Sequence, residues 1–261
     1  MNGRMCRLFA GLCLLALAAI WAAPAGAQMM SEAKEKPPMY SYVANWIIPR
    51  AHWADMDKSY MDDTKVLDKA MTDGTIVAYG YDVTLVHTPD GSTHDDWWSS
   101  MSLAGLFNTL DQFYTNGTAV SPVLESATKH WDNIFVARYY NWHSGPVKNG
   151  YGVASFFKLK EHAPEDALDN LSKSLVGPLL EKMLADGTIS EWEIDTQAFN
   201  TEAPGTFIIY YVASSADAMD KVNAAIQEDL KSNLLAGPAF GSAVNMSSSR
   251  DEVTRSTAIY K

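Results

Sequence analysis

An internal repeat constrains the fold of this chain more than any other feature of its sequence. The segment LDKAMTDGTI (67–76) matches LEKMLADGTI (180–189) at six of ten positions, so that Leu67 aligns with Leu180. Without a gap, the same offset aligns Asp82 with Asp195 and Trp97-Trp98 with Tyr210-Tyr211. Such self-similarity predicts that one structural unit occurs twice.

Each copy shows the same order of predicted elements. Aromatic and β-branched segments at 39–48 and 151–160 are typical of strands, and apolar residues at helical spacing follow them. Each helix is expected to end at Asp-Gly, where Gly74 or Gly187 can take the left-handed conformation. Next come two strands joined by a turn, a second helix and a last strand, which is 134–142 in the first copy and 255–260 in the second. The resulting order, βαββαβ, is that of a ferredoxin-like unit.

Alternation along the strands predicts which residues share a face. At 189–197, Trp192 and Ile194 fall on a face expected to be buried, and Glu191, Glu193 and Asp195 fall on the opposite face. In the third strand of the first copy, His94, Asp96 and Trp98 fall on one face of the strand.

The segment 1–27 is predicted to be a secretory signal peptide. Arg4 and Arg7 precede an apolar run over 8–23, and Ala25-Gly26-Ala27 forms a small-residue cleavage site. We therefore expect an exported protein, periplasmic or extracellular, that begins at Gln28. Both cysteines, Cys6 and Cys13, lie in the signal, which excludes disulfides and thiol chemistry in the mature chain. The predicted organisation is a signal peptide (1–27), an N-terminal linker (28–38), repeat 1 (39–143), a linker (144–149) and repeat 2 (150–261).

The element order and the duplication resemble the dimeric α/β-barrel superfamily. Its members include antibiotic-biosynthesis monooxygenases, EthD-like and stress-responsive barrel proteins, and the haem-binding chlorite dismutases and dye-decolourising peroxidases. The resemblance implies an α+β fold in which two tandem ferredoxin-like units pack sheet to sheet as an intramolecular barrel. The alternative is two separate ferredoxin-like domains on a linker. A homodimer formed through unused sheet edges is compatible with either arrangement.

The third strand of the first copy contains the candidate catalytic residues, His94 and Asp96. If the turn at 89–92 places His87 opposite His94, these three side chains form a cluster that can act as a general base or bind a divalent metal. The alternative is a solvated or structurally hydrogen-bonded edge. In the second copy, Phe207, Ile208 and Ile209 occupy the positions of His94, Asp95 and Asp96, so the polar residues are specific to the first copy.

Further candidates are aromatic residues on predicted strands and one arginine. An aromatic cleft between sheet and helices would suit a small apolar or aromatic molecule, although core packing explains the same residues. Arg138 lies among apolar residues and is expected to pair with a carboxylate or to hold an anionic ligand. The predicted ligand-binding residues are Trp46, His87, Trp98, Arg138, Tyr140 and Trp142.

These observations predict an exported small-molecule-binding protein with its pocket in repeat 1. The alternative is a cofactor-independent oxygenase or isomerase that uses His94 and Asp96, and whether the protein is an enzyme stays open. No cofactor is predicted. A third hypothesis is a metal- or haem-dependent enzyme. The segments AMTDG and MLADG lack the first glycine of the GxxDG signature of the dye-decolourising peroxidases, which argues against haem. The net charge of −11 disfavours nucleic acid and anionic membranes as partners.

Overall fold

The computed structural model describes residues 31–86, 88–201 and 203–261, which belong to one compact unit. The predicted signal peptide, with Cys6 and Cys13, lies outside the described residues. The strands are β1 (Met39–Ile47), β2 (Ala78–Val86), β3 (His94–Ser100), β4 (Lys129–Trp142), β5 (Gly145–Lys158), β6 (Ile189–Gln197), β7 (Thr206–Ala213) and β8 (Arg250–Tyr260). The helices are α1 (Trp53–Thr72), α2 (Leu103–Asn116), α3 (Pro122–Glu125), α4 (Ala167–Leu171), α5 (Gly177–Ala185), α6 (Ala216–Ser232) and α7 (Ala236–Ala243).

The eight strands form one closed antiparallel barrel in the order β1-β3-β2-β8-β5-β7-β6-β4. β1 to β4 form one contiguous half of the barrel and β5 to β8 the other, and the halves are hydrogen-bonded through β2 with β8 and β4 with β6. The alternative of two separate domains on a linker is therefore wrong. Because closure pairs both sides of every described strand, a homodimer would have to form through a surface other than the expected sheet edges.

The repeat seen in the sequence is reproduced in the strand pairing. In the first half Asp82 pairs with Asp95, and in the second half their repeat equivalents, Asp195 and Ile208, pair with each other. Ser102 and Ser215, also equivalent in the repeat, cap α2 and α6 by accepting a backbone N–H three residues later. The duplication inferred from a short sequence match therefore extends to strand register and helix capping.

Alternation along each strand separates two environments. Outward-facing residues pack against the helices in two apolar clusters, one in each half, around Leu106 and Trp192. Inward-facing residues line the barrel lumen, which contains Asp82, Asp95 and Asp195. The helices thus cover the outside of the barrel, and the sheet itself surrounds a polar interior.

The helices begin and end for local chemical reasons. Gly74 and Gly187 have φ of 75° and 76°, which confirms the predicted Asp-Gly helix ends. The helix expected through 168–183 is interrupted: α4 and α5 are separated by a π-helical turn at Ser172–Val176. Pro178 lies in the first turn of α5 and has no N–H for an α-helical bond, which favours this wider turn.

Both predicted linkers pack against the barrel where they are described. Residues 145–149 of the expected inter-repeat linker belong to β5, which follows β4 after only two residues. In the N-terminal segment, the Ala33 N–H donates to the Lys173 carbonyl at 2.9 Å and the Lys36 N–H donates to the Arg138 carbonyl at 2.8 Å. Among the described residues, no helix is long and apolar enough to cross a bilayer.

Candidate functional site

A cleft between the sheet of the first half and helices α1, α2 and α3 contains several of the predicted site residues. We call it the first-half cleft; its volume is about 100 Å³. Its aromatic wall consists of Tyr42, Trp46, Trp98 and Phe113. Its polar side chains are Asp63, Asp96, His130 and Asp132.

The aromatic wall is built from stacked pairs on neighbouring strands. Tyr42 of β1 stacks on Trp98 of β3 with ring centroids 4.4 Å apart, and Phe113 of α2 lies 5.3 Å from Trp98. The Trp98 indole N–H donates to the Leu106 carbonyl at 3.2 Å. Because Tyr42 and Trp98 are buried, this part of the wall is rigid and serves both as core and as cleft surface.

Two carboxyl groups approach this wall from opposite elements. Asp96 is on β3 and Asp63 is on α1, and both line the cleft. Burial raises the pKa of Asp63 to about 7. Burial, followed by the charge of Asp63, raises the pKa of Asp96 well above its ordinary value, and the nearby Trp46 indole N–H opposes this rise. Burial therefore favours the protonated form of Asp96, and Asp63 exchanges its proton near neutral pH.

An imidazole lies at the rim of the cleft. His130 stacks on Trp46 with centroids 3.7 Å apart, its Nδ1 lies 3.0 Å from the Asn45 carbonyl and its Nε2 lies 3.3 Å from Asp132 Oδ1. Both ring nitrogens thus face hydrogen-bond acceptors. The doubly protonated imidazolium can donate to the Asn45 carbonyl and to the Asp132 carboxylate at the same time. Partial burial lowers the pKa of His130, but the Asp132 carboxylate outweighs it, and the net pKa lies above the ordinary value.

His94, the predicted general base, is not among the residues that line the cleft. Its side chain is fully buried beside Trp53 and Tyr81, at ring distances of 5.1 and 5.9 Å. Thr93 donates its hydroxyl hydrogen to the Trp46 carbonyl, so His94 Nδ1 is the donor in its 2.9 Å contact with Thr93 Oγ1. Burial lowers the pKa of His94 to about 4, which keeps the ring neutral.

The pairing of β2 with β3 does not place His87 opposite His94, as the expected cluster with Asp96 requires. His94 lies opposite Val83, because the connection between β2 and β3 is longer than the predicted turn. His87 itself lies outside the described residues. Within the described residues, no group of three or more His, Cys, Asp or Glu side chains is arranged to hold a metal ion.

Arg138, Tyr140 and Trp142 do not belong to the first-half cleft. Arg138 is exposed and pairs with Glu35 at 2.8 Å, a structural pairing at a bulge of β4. The Tyr140 hydroxyl donates to the Pro37 carbonyl at 2.9 Å, and the Trp142 indole donates to the Lys261 backbone oxygen at 3.0 Å. Of the predicted ligand-binding residues that the structure describes, only Trp46 and Trp98 meet Asp96 in one site.

Asp63, His130 and Asp132 were missed by sequence reasoning. Asp63 occupies the apolar stripe of α1, three residues after Tyr60 and four before Leu67, both of which are buried. A carboxylate on a buried stripe is a signal that sequence alone provides. His130 and Asp132 carried no comparable signal, because their neighbours in the cleft come from β1, which is distant along the chain.

A second cavity, the second-half groove, lies between the sheet of the second half and helices α5, α6 and α7. It has a volume of about 390 Å³ and an almost entirely apolar lining that includes Phe157, Leu179, Ile209 and Phe240. Sequence reasoning placed the expected pocket in repeat 1 and did not find this groove. Among the described residues that line it there is no histidine, so its donor set does not provide an imidazole for haem iron.

The chain matches no protein-family model, and no curated protein matches it in sequence. It is similar in fold to a monooxygenase-like protein from Fusobacterium nucleatum (TM-score 0.59, 8% identity, covering 87% of this chain and 95% of that one). It is also similar to a monooxygenase-like protein from Lactobacillus acidophilus (TM-score 0.57, 11% identity, covering 86% and 97%). An anthrone oxidase-like protein matches with a TM-score of 0.52 and 12% identity, covering 87% and 94%. At these identities the likeness concerns the fold, which is that of the dimeric α/β-barrel proteins.

Proposed function

We propose that the protein is an exported small-molecule-binding protein whose ligand site is the first-half cleft. The observation that carries this proposal is the meeting of a rigid aromatic wall with two partly buried carboxyl groups, Asp63 and Asp96. Pockets that bind small molecules combine apolar surface with a few placed polar groups. In this interpretation the two halves are ferredoxin-like units, and only the first has a carboxyl group, Asp96, on the helix-facing side of its third strand.

The chemistry of the cleft favours a small aromatic molecule with a hydroxyl group. Trp46 and Trp98 offer ring faces for stacking, and a protonated Asp96 donates a hydrogen bond to an oxygen acceptor. Asp63, with a pKa raised to about 7, accepts a proton from a ligand hydroxyl over the neutral range. The paired His130 and Asp132 at the rim add a polar boundary.

Phenol binding, followed by calorimetry, tests the site. We expect saturable binding, and at least a tenfold weaker affinity for Asp96→Asn and for Trp46→Ala. Asp82→Asn is the matched control, because Asp82 faces the barrel lumen on the other side of the sheet. Unchanged affinity in both cleft variants would remove the cleft from the proposal. N-terminal sequencing of the exported protein tests export, with Gln28 as the expected first residue.

A cofactor-independent oxygenase or isomerase is the second candidate function. It is favoured by the pKa of Asp63, because such reactions begin with removal of a proton from the substrate and a base is most effective when its pKa is near the working pH. The likeness in fold to monooxygenase-like proteins is compatible with it. Asp63 would be the base and Asp96 the hydrogen-bond donor. His94, which sequence reasoning grouped with Asp96, does not line the cleft and would not contact the substrate.

Oxygen consumption with hydroquinone, in the presence of a metal chelator, tests this second function. We expect Asp63→Asn to reduce turnover at least 100-fold while phenol still binds. His94→Phe is the control, because the equivalent position in the second half, 207, is a phenylalanine. We expect this variant to retain most of the activity. Full activity in Asp63→Asn would rule out this function and leave phenol binding standing.

A further inference from the structure

The barrel lumen contains six carboxyl groups on inward-facing positions of four strands. They are Asp82, Asp95, Glu191, Glu193, Asp195 and Glu252. Arg250 is the basic side chain among the described residues that line the cavity, and it pairs with Glu252 while its guanidinium lies 3.6 Å from the Phe156 ring centroid. The other carboxyl groups have no cationic partner among the described residues.

Three of these carboxyl groups have internal partners. The Tyr260 hydroxyl donates to Glu191. Glu193 and Asp195 contact each other, and burial followed by this proximity raises the pKa of Asp195, so that the pair shares a proton. Glu193 Oε2 and Asp195 Oδ1 nevertheless have no hydrogen-bond partner among the described residues.

Asp82 and Asp95 also keep one unpartnered oxygen each, and they are the two lumen carboxyl groups that lie directly opposite each other on neighbouring strands. They lie opposite each other on β2 and β3, and their relative exposures are only 6% and 8%. Side-chain donors lie near both groups, Ser256, Trp97 and Tyr210 near Asp82 and Ser92 near Asp95, but Oδ1 of each carboxyl group has no hydrogen bond of good geometry among the described residues. An unsatisfied buried polar group costs about 1–3 kcal/mol, so native structures rarely keep one without a ligand, water or catalytic role.

We propose that the barrel lumen binds a small organic ammonium ion between the carboxylates of Asp82 and Asp95. An ammonium group offers several N–H donors, which match the two unpartnered carboxylate oxygens. Trp97 and Tyr210 present aromatic rings to the same cavity, where they stabilise a cation, and Val43, Phe135 and Ile208 provide apolar surface for its carbon chain.

The size of the cavity limits the ligand. Its volume is about 100 Å³, which leaves room for only a small molecule. The ligand is therefore an amine of a few heavy atoms. Burial raises the pKa of Asp82 to about 7, so this carboxyl can ionise near neutral pH when a cation is present.

Calorimetry with n-butylammonium chloride at pH 7.5 tests the proposal, with butan-1-ol as the uncharged analogue. We expect saturable binding of the ammonium ion, at least tenfold weaker binding of the alcohol, and at least tenfold weaker ammonium binding in Asp82→Asn and in Asp95→Asn. Asp96→Asn is the control: it changes the adjacent residue of the same strand, which faces the first-half cleft, and should leave the affinity unchanged.

Several outcomes would overturn the proposal. These are no binding of n-butylammonium, equal binding of butan-1-ol, unchanged affinity in both lumen variants that circular dichroism shows to be folded, or displacement of the amine by micromolar Ca²⁺ or Mg²⁺. Asp96→Asn and Asp82→Asn also separate this site from the first-half cleft. Each is expected to weaken one ligand, phenol or n-butylammonium, and to leave the other unchanged.

Discussion

Asp82 lies directly opposite Asp95 on neighbouring strands of the barrel, and both carboxyl groups face the lumen. Like charges in this arrangement destabilise a sheet. The fold tolerates the pair because burial, the largest effect on each residue, raises both pKa values and favours the protonated forms.

The stability of the protein should therefore fall as the pH rises from about 4 to 7. Burial raises the pKa of Asp82 and of Glu193 to about 7, whereas carboxyl groups of the unfolded chain titrate near 4. Between these values the folded state binds more protons, so the stabilisation is complete below the unfolded pKa and is lost as the pH passes the folded one. Urea unfolding at pH 5 and pH 8 measures the difference.

Asp82→Asn should make this pH dependence shallower. The contribution of one such group is on the order of 4 kcal/mol, since its pKa is raised from about 4 to about 7 and each pKa unit corresponds to about 1.4 kcal/mol. The exposed pair of Asp62 with Lys65 provides the control, because Asp62→Asn removes a carboxyl group in contact with water. An equal slope in wild type and Asp82→Asn would contradict the assignment of Asp82 as a buried, protonated group.

The close contact of Trp97 with Gly80 should make Gly80 intolerant of a side chain. A Cβ at Gly80 would overlap the Trp97 ring, so we expect Gly80→Ala to reduce the free energy of unfolding by about 1–3 kcal/mol. Gly241→Ala is the matched control, because a Cβ there meets open space, and alanine in helix α7 is expected to be neutral or to stabilise by up to about 1 kcal/mol. Similar unfolding free energies in both variants would argue against the tight contact.

Two histidines should titrate in opposite directions. We expect His130 to titrate above its ordinary pKa, because the Asp132 carboxylate outweighs partial burial, and His94 to stay neutral down to about pH 4. Proton NMR of the imidazole resonances measures both. Asp132→Asn should lower the pKa of His130 without moving that of His94, and a common shift of both would contradict this account.

Arg138 should matter little to stability and not at all to the first-half cleft. Its ion pair with Glu35 joins two half-exposed side chains, and such pairs contribute about 0–1 kcal/mol. We expect Arg138→Ala to lower the melting temperature by no more than a few degrees and to leave phenol affinity unchanged. A tenfold loss of affinity would revive the sequence-based hypothesis that Arg138 holds a ligand.

Local pattern and self-similarity predicted much of the fold. The Asp-Gly helix ends and the alternation of β3 depend on neighbouring residues, and the structure places Gly74, Gly187, Asp96 and Trp98 accordingly. The constant offset between the two copies anticipated that β2 and β3 pair in the same register as β6 and β7. These features need no information from distant parts of the chain.

The alternation of polar and apolar residues along a strand could not predict whether each face meets solvent or the barrel lumen. Glu191 and Asp195 were correctly separated from Trp192, but this polar face is enclosed in the lumen, with exposures of only 2% and 4%. Closure depends on pairing β2 with β8 and β4 with β6, contacts that span much of the chain. For the same reason the burial of His94 and the approach of His130 to Trp46 could not be predicted.

Because the two halves of the barrel belong to one chain, their sequences can differ. In a barrel assembled from two identical subunits, every mutation appears twice, so an acidic residue facing the lumen is always faced by its own symmetry mate. Here position 95 is an aspartate and the equivalent position 208 is an isoleucine, although both line one cavity. A single chain can thus have a barrel lumen with one polar side and one apolar side. A homodimer of the same architecture cannot have this asymmetry, because its two subunits have the same sequence.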